Sequence, residues 1–300
     1  MRHRAKHIFE YGALRVLSAL LNVLPYRGAL LVGWLGAWKA FFIFRFRRKE
    51  AESRIRSVFG NTLSDSEVRH IAWRAWRNIV FSGVEIIRVK KITPEWIARV
   101  FVNTDFLQKL AAYGDTGLGA VFATCHMGSW ELPAIAAHFY GLPVFTFAAK
   151  QKNPLVDEYM NRLRTNHGVE TLIRGSGEIR AVLRKLKAGQ MLAILPDVRM
   201  RTPGVRVPFL GGEANLGEGM ALFARHCGIP IVPCIVTRIG WAKHRLDVYD
   251  PIRPDPNLDR DKDITRMTAA MMQIIESAIR KDPAQWFWFN KRWILDPLEK

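Results

Sequence analysis

A histidine and a glutamate five residues apart are the first candidates for chemistry in this chain. They stand in Ala123-Thr124-Cys125-His126-Met127-Gly128-Ser129-Trp130-Glu131-Leu132-Pro133. A neutral imidazole can take a proton from a hydroxyl, while a carboxylate on its other nitrogen orients the ring and stabilises the imidazolium. Proline is tolerated only in or near the first turn of a helix, so a helix opens within 129–133. His126 then lies on the loop leaving a strand and Glu131 in the first helical turn. On one continuous helix this offset would splay the two side chains; a loop-to-helix turn can fold one back onto the other. The expectation is a general base, His126, oriented by Glu131, with a structural histidine as the alternative.

Competing chemistries fit less well. There is no G-x-S-x-G elbow, so Ser129 reads as a helix cap rather than a nucleophile. Cys125 and His126 are neighbours and point to opposite faces, which argues against a thiol–imidazole couple. His126, Glu131 and His138 lack the H-E-x-x-H spacing of a zinc site. Gly175-Ser176-Gly177 fails G-x-G-x-x-G at Arg180 and reads as a turn, with anion binding at a helix N-terminus the alternative. The three cysteines, Cys125, Cys227 and Cys234, show no CxxC spacing, which argues against a disulfide scaffold and a structural zinc site. No metal or cofactor is expected.

The elements that must position these residues are legible from about residue 117. Short apolar runs at 118–124, 143–149, 169–173, 191–196 and 230–237 alternate with helical patterns to about 140 and over 153–167, 176–188 and 217–227. A further strand is expected at 244–249 and a last helix at 263–281. Strands and helices alternating at this interval predict an α/β fold with a mixed, largely parallel central sheet flanked by helices. In such sheets functional groups gather where strand C-termini meet helix N-termini, which is where His126 falls. Upstream, 49–100 reads helical, with Ser64-Asp65-Ser66-Glu67 as a capping box and Trp73 and Trp76 as core packing.

Composition sets the partner class. Hydrophobic residues make up 49% and charged ones 24%, enough for a large core and inconsistent with disorder. The net charge is +18, and residues 1–100 hold 19 Lys+Arg against 7 Asp+Glu. That excess coincides with two apolar segments, 8–24 and 28–44, followed at once by Arg45, Arg47, Arg48 and Lys49. Glu10 and Arg15 interrupt the first segment, and no signal-peptide cleavage site follows the second. The expected division is 1–48 as membrane-associating helices and 49–300 as the α/β domain. An interfacial hairpin is favoured over a single short span containing Lys39, and soluble core helices are the third reading. In either membrane arrangement the basic cluster belongs on the cytoplasmic side and on anionic lipid. A nucleic-acid partner would also suit the charge, but no helix-turn-helix, zinc finger or RNP-type block supports one.

The block Thr124-Cys125-His126-Met127-Gly128-Ser129-Trp130-Glu131 resembles the H-x-G-N-W-E block of the bacterial lipid A late acyltransferases, whose superfamily includes phosphatidylinositol mannoside acyltransferases. Three further blocks agree in order. Asn153 to Asp157 with Arg164 to Gly168 resembles N-x-x-x-D … R-x-x-x-G. Pro196-Asp197 with Gly204 to Gly211 resembles P-D-Q … G-V-x-V-x-F-F-G, and Asp282 to Trp288 with Lys291 to Trp293 resembles P-E-Q-W-x-W-x-H-x-R. Ser129, Val198 and Asn290 depart from the usual Asn, Gln and His.

The resemblance implies transfer of a fatty acyl chain from an acyl-carrier-protein or acyl-coenzyme A thioester to a hydroxyl of a membrane lipid, a lipid A precursor foremost. A lysophospholipid, glycolipid or aminolipid acceptor is the alternative. It places the enzyme on the cytoplasmic face of a bacterial inner membrane. It makes His126 and Glu131 catalytic and Arg164 a phosphate or oxyanion ligand. Asp197, Ser129 and Arg174 complete the substrate-binding candidates. Trp286, Trp288 and Arg292 read mainly as packing and interface.

Overall fold

The computed structural model describes residues 4–297 apart from 104, 115–116, 149, 166–167 and 174–177. It opens with α1 (Ala5–Val23) and α2 (Tyr26–Trp38), separated by Pro25 and extended by a π-helical turn, Lys39–Ile43. Arg45 and Arg47 take left-handed backbone angles, φ 52° and 49°, which ends the helical run before α3 (Arg48–Phe59). The 23-residue α4 (Asp65–Ile87) follows, and its predicted capping box is formed. The Ser64 hydroxyl accepts the Glu67 backbone N–H, and the Glu67 carboxylate accepts that of Ser64. At 1.5 Å per residue α4 is roughly 35 Å long, a spine against which both the N-terminal helices and the C-terminal segment pack.

After α5 (Pro94–Val100) and α6 (Asp105–Gly114) the chain alternates: β1 (Ala120–Ala123), α7 (Leu132–Phe139), β2 (Val144–Ala148), α8 (Pro154–Thr165), β3 (Glu170–Ile173), α9 (Glu178–Lys187), β4 (Met191–Ile194). A small antiparallel hairpin, β5 (Val205–Phe209) and β6 (Gly212–Leu216), precedes α10 (Gly219–Cys227). β7 (Ile231–Ile239), β8 (Lys243–Val248) and α11 (Arg260–Lys281) complete the chain order. The six-stranded sheet runs β3-β2-β4-β1-β7-β8, parallel throughout except for β8, antiparallel at the edge. This is the α/β architecture the alternating pattern predicts. Every side chain of β1 is buried, as expected where helices cover both faces of a parallel sheet.

Helices α5 to α8 cover one face, burying Phe106, Leu132, Ile135 and Leu163. The other face is covered by α9, α10 and α11, with Val182, Phe223 and Met271 in a core that extends to Phe41, Ala72, Trp286 and Trp288. Nothing in the local pattern of 205–216 announces the hairpin. Its two-residue turn, Leu210-Gly211, has φ 51° and 82°, a geometry usually supplied by Asn-Gly. Leu210 tolerates it because its side chain is buried and its N–H is held by the Glu276 carboxylate.

The N-terminal helices are packed on one side and bare on the other. Gly33 lets α2 approach α4 so closely that a Cβ there would meet the Val84 Cγ2 at 2.8 Å. The Arg88 guanidinium donates to the Leu21 and Leu24 carbonyls at the end of α1. Outward, Phe9 is 78%, Val16 72%, Val23 86% and Phe44 76% exposed. Among the described residues no single helix is long and apolar enough to cross a membrane.

Candidate active site

Strand register decides what meets His126. In the parallel pair β1–β4, Ala123 stands opposite Ile194. His126 and Asp197 each lie three residues beyond that rung, so they leave the same sheet edge side by side. The Asp197 carboxylate takes the His126 ring through Nδ1 at 2.9 Å and its backbone N–H at 2.9 Å. A second donor, the Trp286 indole Nε1–H, reaches Asp197 Oδ2 at 2.9 Å. A carboxylate only accepts, so Nδ1 carries a proton, and in the neutral imidazole the lone pair is therefore on Nε2. Asp197 is 1% exposed while the His126 side chain is 21% exposed and lines a cavity of about 480 Å³.

The loop between them is held rigidly. Gly128 has φ 53°, and a Cβ on it would sit 2.5 Å from the Val236 carbonyl of β7. Its own carbonyl accepts the Ser82 hydroxyl from α4 at 2.6 Å. Trp130 and Phe287 flank the imidazole, with ring centroids 5.3 and 6.1 Å away.

The sequence expectation has Glu131 orient His126; in the structure its hydrogen bonds go to Arg164 instead. Its carboxylate is gripped by the guanidinium of Arg164, Nε to Oε2 at 3.0 Å and Nη2 to Oε1 at 2.6 Å. A bidentate guanidinium uses both carboxylate oxygens in one plane, which turns Glu131 toward α8 rather than toward the imidazole. The carboxylate hydrogen-bonded to the imidazole is that of Asp197. Glu131 and Arg164 form a second pair on the wall of the same cavity.

Burial pulls the His126 pKa down, but the Asp197 charge and hydrogen bond, helped by Glu131, carry it above the ordinary histidine value. Burial pushes Asp197 up; the His126 charge, with hydrogen bonds from His126 and Trp286, brings it below the usual aspartate value. Arg164, buried against Glu131, is likewise held charged. Burial and then the Asp197 charge push the Cys125 thiol well up, which suits an inert core thiol.

Ser129 is buried, 1% exposed, and does not line the cavity. Nor does it cap α7 through its side chain; its carbonyl accepts the Leu132 N–H at 3.1 Å. Arg174 lies outside the described residues. The remaining wall is largely apolar, with Phe122, Phe147, Ile194, Met220 and Phe223 beside Thr124 and Thr146. Apart from Thr124, no sequence motif marks these wall residues; the apolar ones are ordinary core types that end at an opening.

Residues 4–294 match the bacterial lipid A biosynthesis acyltransferase family, and the chain belongs to that family. Family membership makes the chain an acyltransferase, in agreement with the four motif blocks. Among its relatives, phosphatidylinositol mannoside acyltransferase of Mycolicibacterium smegmatis is 27% identical over 189 residues, 61% of this chain and 59% of that protein. The protein of the same name from Mycobacterium tuberculosis is 26% identical over 232 residues, 74% of this chain and 68% of its own. Lipid A biosynthesis acyltransferase of Haemophilus influenzae is 24% identical over 277 residues, 90% and 82% of the two chains. The matched stretch therefore spans less than two thirds of the first of these proteins.

Proposed function

We propose that this enzyme moves a fatty acyl chain from an acyl-carrier-protein or acyl-coenzyme A thioester to a hydroxyl of a membrane glycolipid, a lipid A precursor foremost. The observation that carries the reading is a buried-carboxylate-held histidine opening onto a cavity with apolar walls. The His126 Nε2 takes the acceptor hydroxyl proton as the oxygen attacks the thioester carbonyl. A tetrahedral oxyanion forms, the C–S bond breaks, and the imidazolium returns the proton to the leaving thiolate. Asp197 stabilises the imidazolium between these steps. Arg164, with Glu131, offers a fixed cationic edge for the oxyanion or for a phosphate of donor or acceptor. No acyl-enzyme is needed.

The exposed apolar side of α1 and α2, beside the basic residues 45–49, supports interfacial attachment to anionic lipid on the cytoplasmic face. The two names carried by the relatives support both a lipid A precursor and another membrane glycolipid as acceptor.

The decisive assay supplies labelled acyl thioester and candidate acceptors to the detergent-purified enzyme. His126→Ala should lose about 10²–10⁴ in rate, the usual worth of a general base, with fold and membrane attachment intact. A His126→Ala enzyme with near-normal transfer would end this mechanism.

A further inference from the structure

We propose that Trp286 is a positioning residue for the reaction, its indole N–H aiming and ionising Asp197; this rests on the acyl-transfer reading above. The Asp197 carboxylate carries three donors. Oδ1 meets the His126 ring, while Oδ2 takes the His126 backbone N–H and the Trp286 Nε1–H, each at 2.9 Å. Fixing Oδ2 from two directions leaves Oδ1 facing Nδ1 and no rotation for the carboxylate to make. Two of the donors belong to His126 itself. Among the described residues the third donor is Trp286, 89 residues further along the chain, which brings outside structure to bear on the pair.

Trp286 is built to hold a direction. It is 1% exposed, with Trp288 at 4.9 Å and Phe209 at 5.9 Å, both edge-on to its ring. Its backbone bridges to Met127, and the Gly128 N–H donates to the Gln285 carbonyl at 3.3 Å. Gln285 in turn exchanges two hydrogen bonds with the Arg238 backbone of β7, at 3.0 and 3.1 Å. The segment 282–288 thereby straps the loop carrying His126 to the sheet. Packing alone would leave the indole N–H free to end on any acceptor. Trp288 shows the contrast: its Nε1–H is spent on the Pro283 carbonyl, inside its own turn, at 2.7 Å.

The titratable groups facing the pair are few. His126 feels Asp197 and Glu131, and Glu131 is neutralised by Arg164. Asp197 also faces the Cys125 thiol. Removing the indole donor makes Asp197 a stronger base toward the imidazolium, so the proton leaves Nε2 less readily. Trp286→Phe should therefore move the acid limb of kcat/KM to higher pH and lower kcat about tenfold with KM unchanged. Asp197→Asn should move the same limb to lower pH, and Trp288→Phe should leave it in place. A loosened fold would lower activity without this pattern of opposite shifts. An unmoved limb in Trp286→Phe, or an equal shift in Trp288→Phe, overturns the assignment.

Should Trp286→Phe fail to fold, the unsubstituted enzyme supplies the test. The indole ¹⁵N–¹H resonance of Trp286 should titrate in step with the His126 ring; a resonance flat across that titration overturns the proposal. This readout needs no turnover, so its failure is separable from failure of the acyl-transfer reading, which would show as no transfer from either thioester.

Discussion

Two pairs meet at the cavity, His126 on its wall with Asp197 buried behind it and Glu131 with Arg164 both on the wall, and each should behave as a unit. His126 acts through Asp197, so His126→Ala combined with Asp197→Asn should be little worse than His126→Ala alone. Glu131 is tied to Arg164 instead. Losses from His126→Ala and Glu131→Gln should accordingly multiply, and a non-additive result in kcat/KM would return Glu131 to the imidazole. The pH behaviour follows from the shifts. The raised His126 contributes stability below the ordinary histidine value, near 6.5, and loses it as pH rises through its higher folded value. The depressed Asp197 contributes above the ordinary aspartate value, near 3.9, and loses it as pH falls through its lower folded value. The pair thus stabilises the fold most between about pH 4 and 6.5, whereas the base needs neutral His126. Thermal unfolding against pH should show this contribution fading over the range where activity rises, and Asp197→Asn should abolish the fading.

At the scale of elements, the site depends on how closely the loop after β1 approaches β7. Gly128→Ala must move either the Val236 carbonyl or the loop, since a Cβ would lie 2.5 Å from that oxygen at a φ of 53°. Overpacking of this kind costs about 1–3 kcal/mol. The loop also carries His126, so activity should fall further than the loss of stability alone requires. Measuring chemical denaturation beside kcat/KM separates the two effects; a variant with full activity would show that the loop position is not limiting. The segment 282–288 works at the same scale, joining α4, β7 and the loop around one buried indole.

For the whole molecule, the question is which side faces lipid. The N-terminal helices share buried contacts with the rest: Phe41 lies in the core of Trp286 and Trp288, and Leu21 and Leu30 pack with Phe81 and Val84. Removing 1–48 outright would open that core, so surface substitutions are the cleaner probe. Phe9→Asp with Val16→Asp and Phe44→Asp changes only residues that are more than 70% exposed. The triple variant should shift from the membrane pellet to the supernatant with unfolding unchanged. Retention in detergent-free membranes would move the attachment surface elsewhere, toward the basic residues alone.

Local pattern by itself determined most of the elements and the place of the chemistry. Apolar runs alternating with amphipathic stretches announce the parallel sheet, Ser64 and Glu67 announce the start of α4, and Pro133 puts His126 at a strand–helix junction, because each signal acts over a few residues. Sequence proximity pairs Glu131 with His126, because proximity is the only distance a sequence supplies. Strand register brings Asp197 from 71 residues away, while Arg164, 33 residues on, turns Glu131 aside. The Leu210-Gly211 turn escaped for a related reason, since its unusual backbone is held by burial and by Glu276, not by its own residue types. Which carboxylate holds the histidine, and which tryptophan holds that carboxylate, are contacts between segments far apart in the chain. Only packing brings them together, so only the tertiary structure decided them.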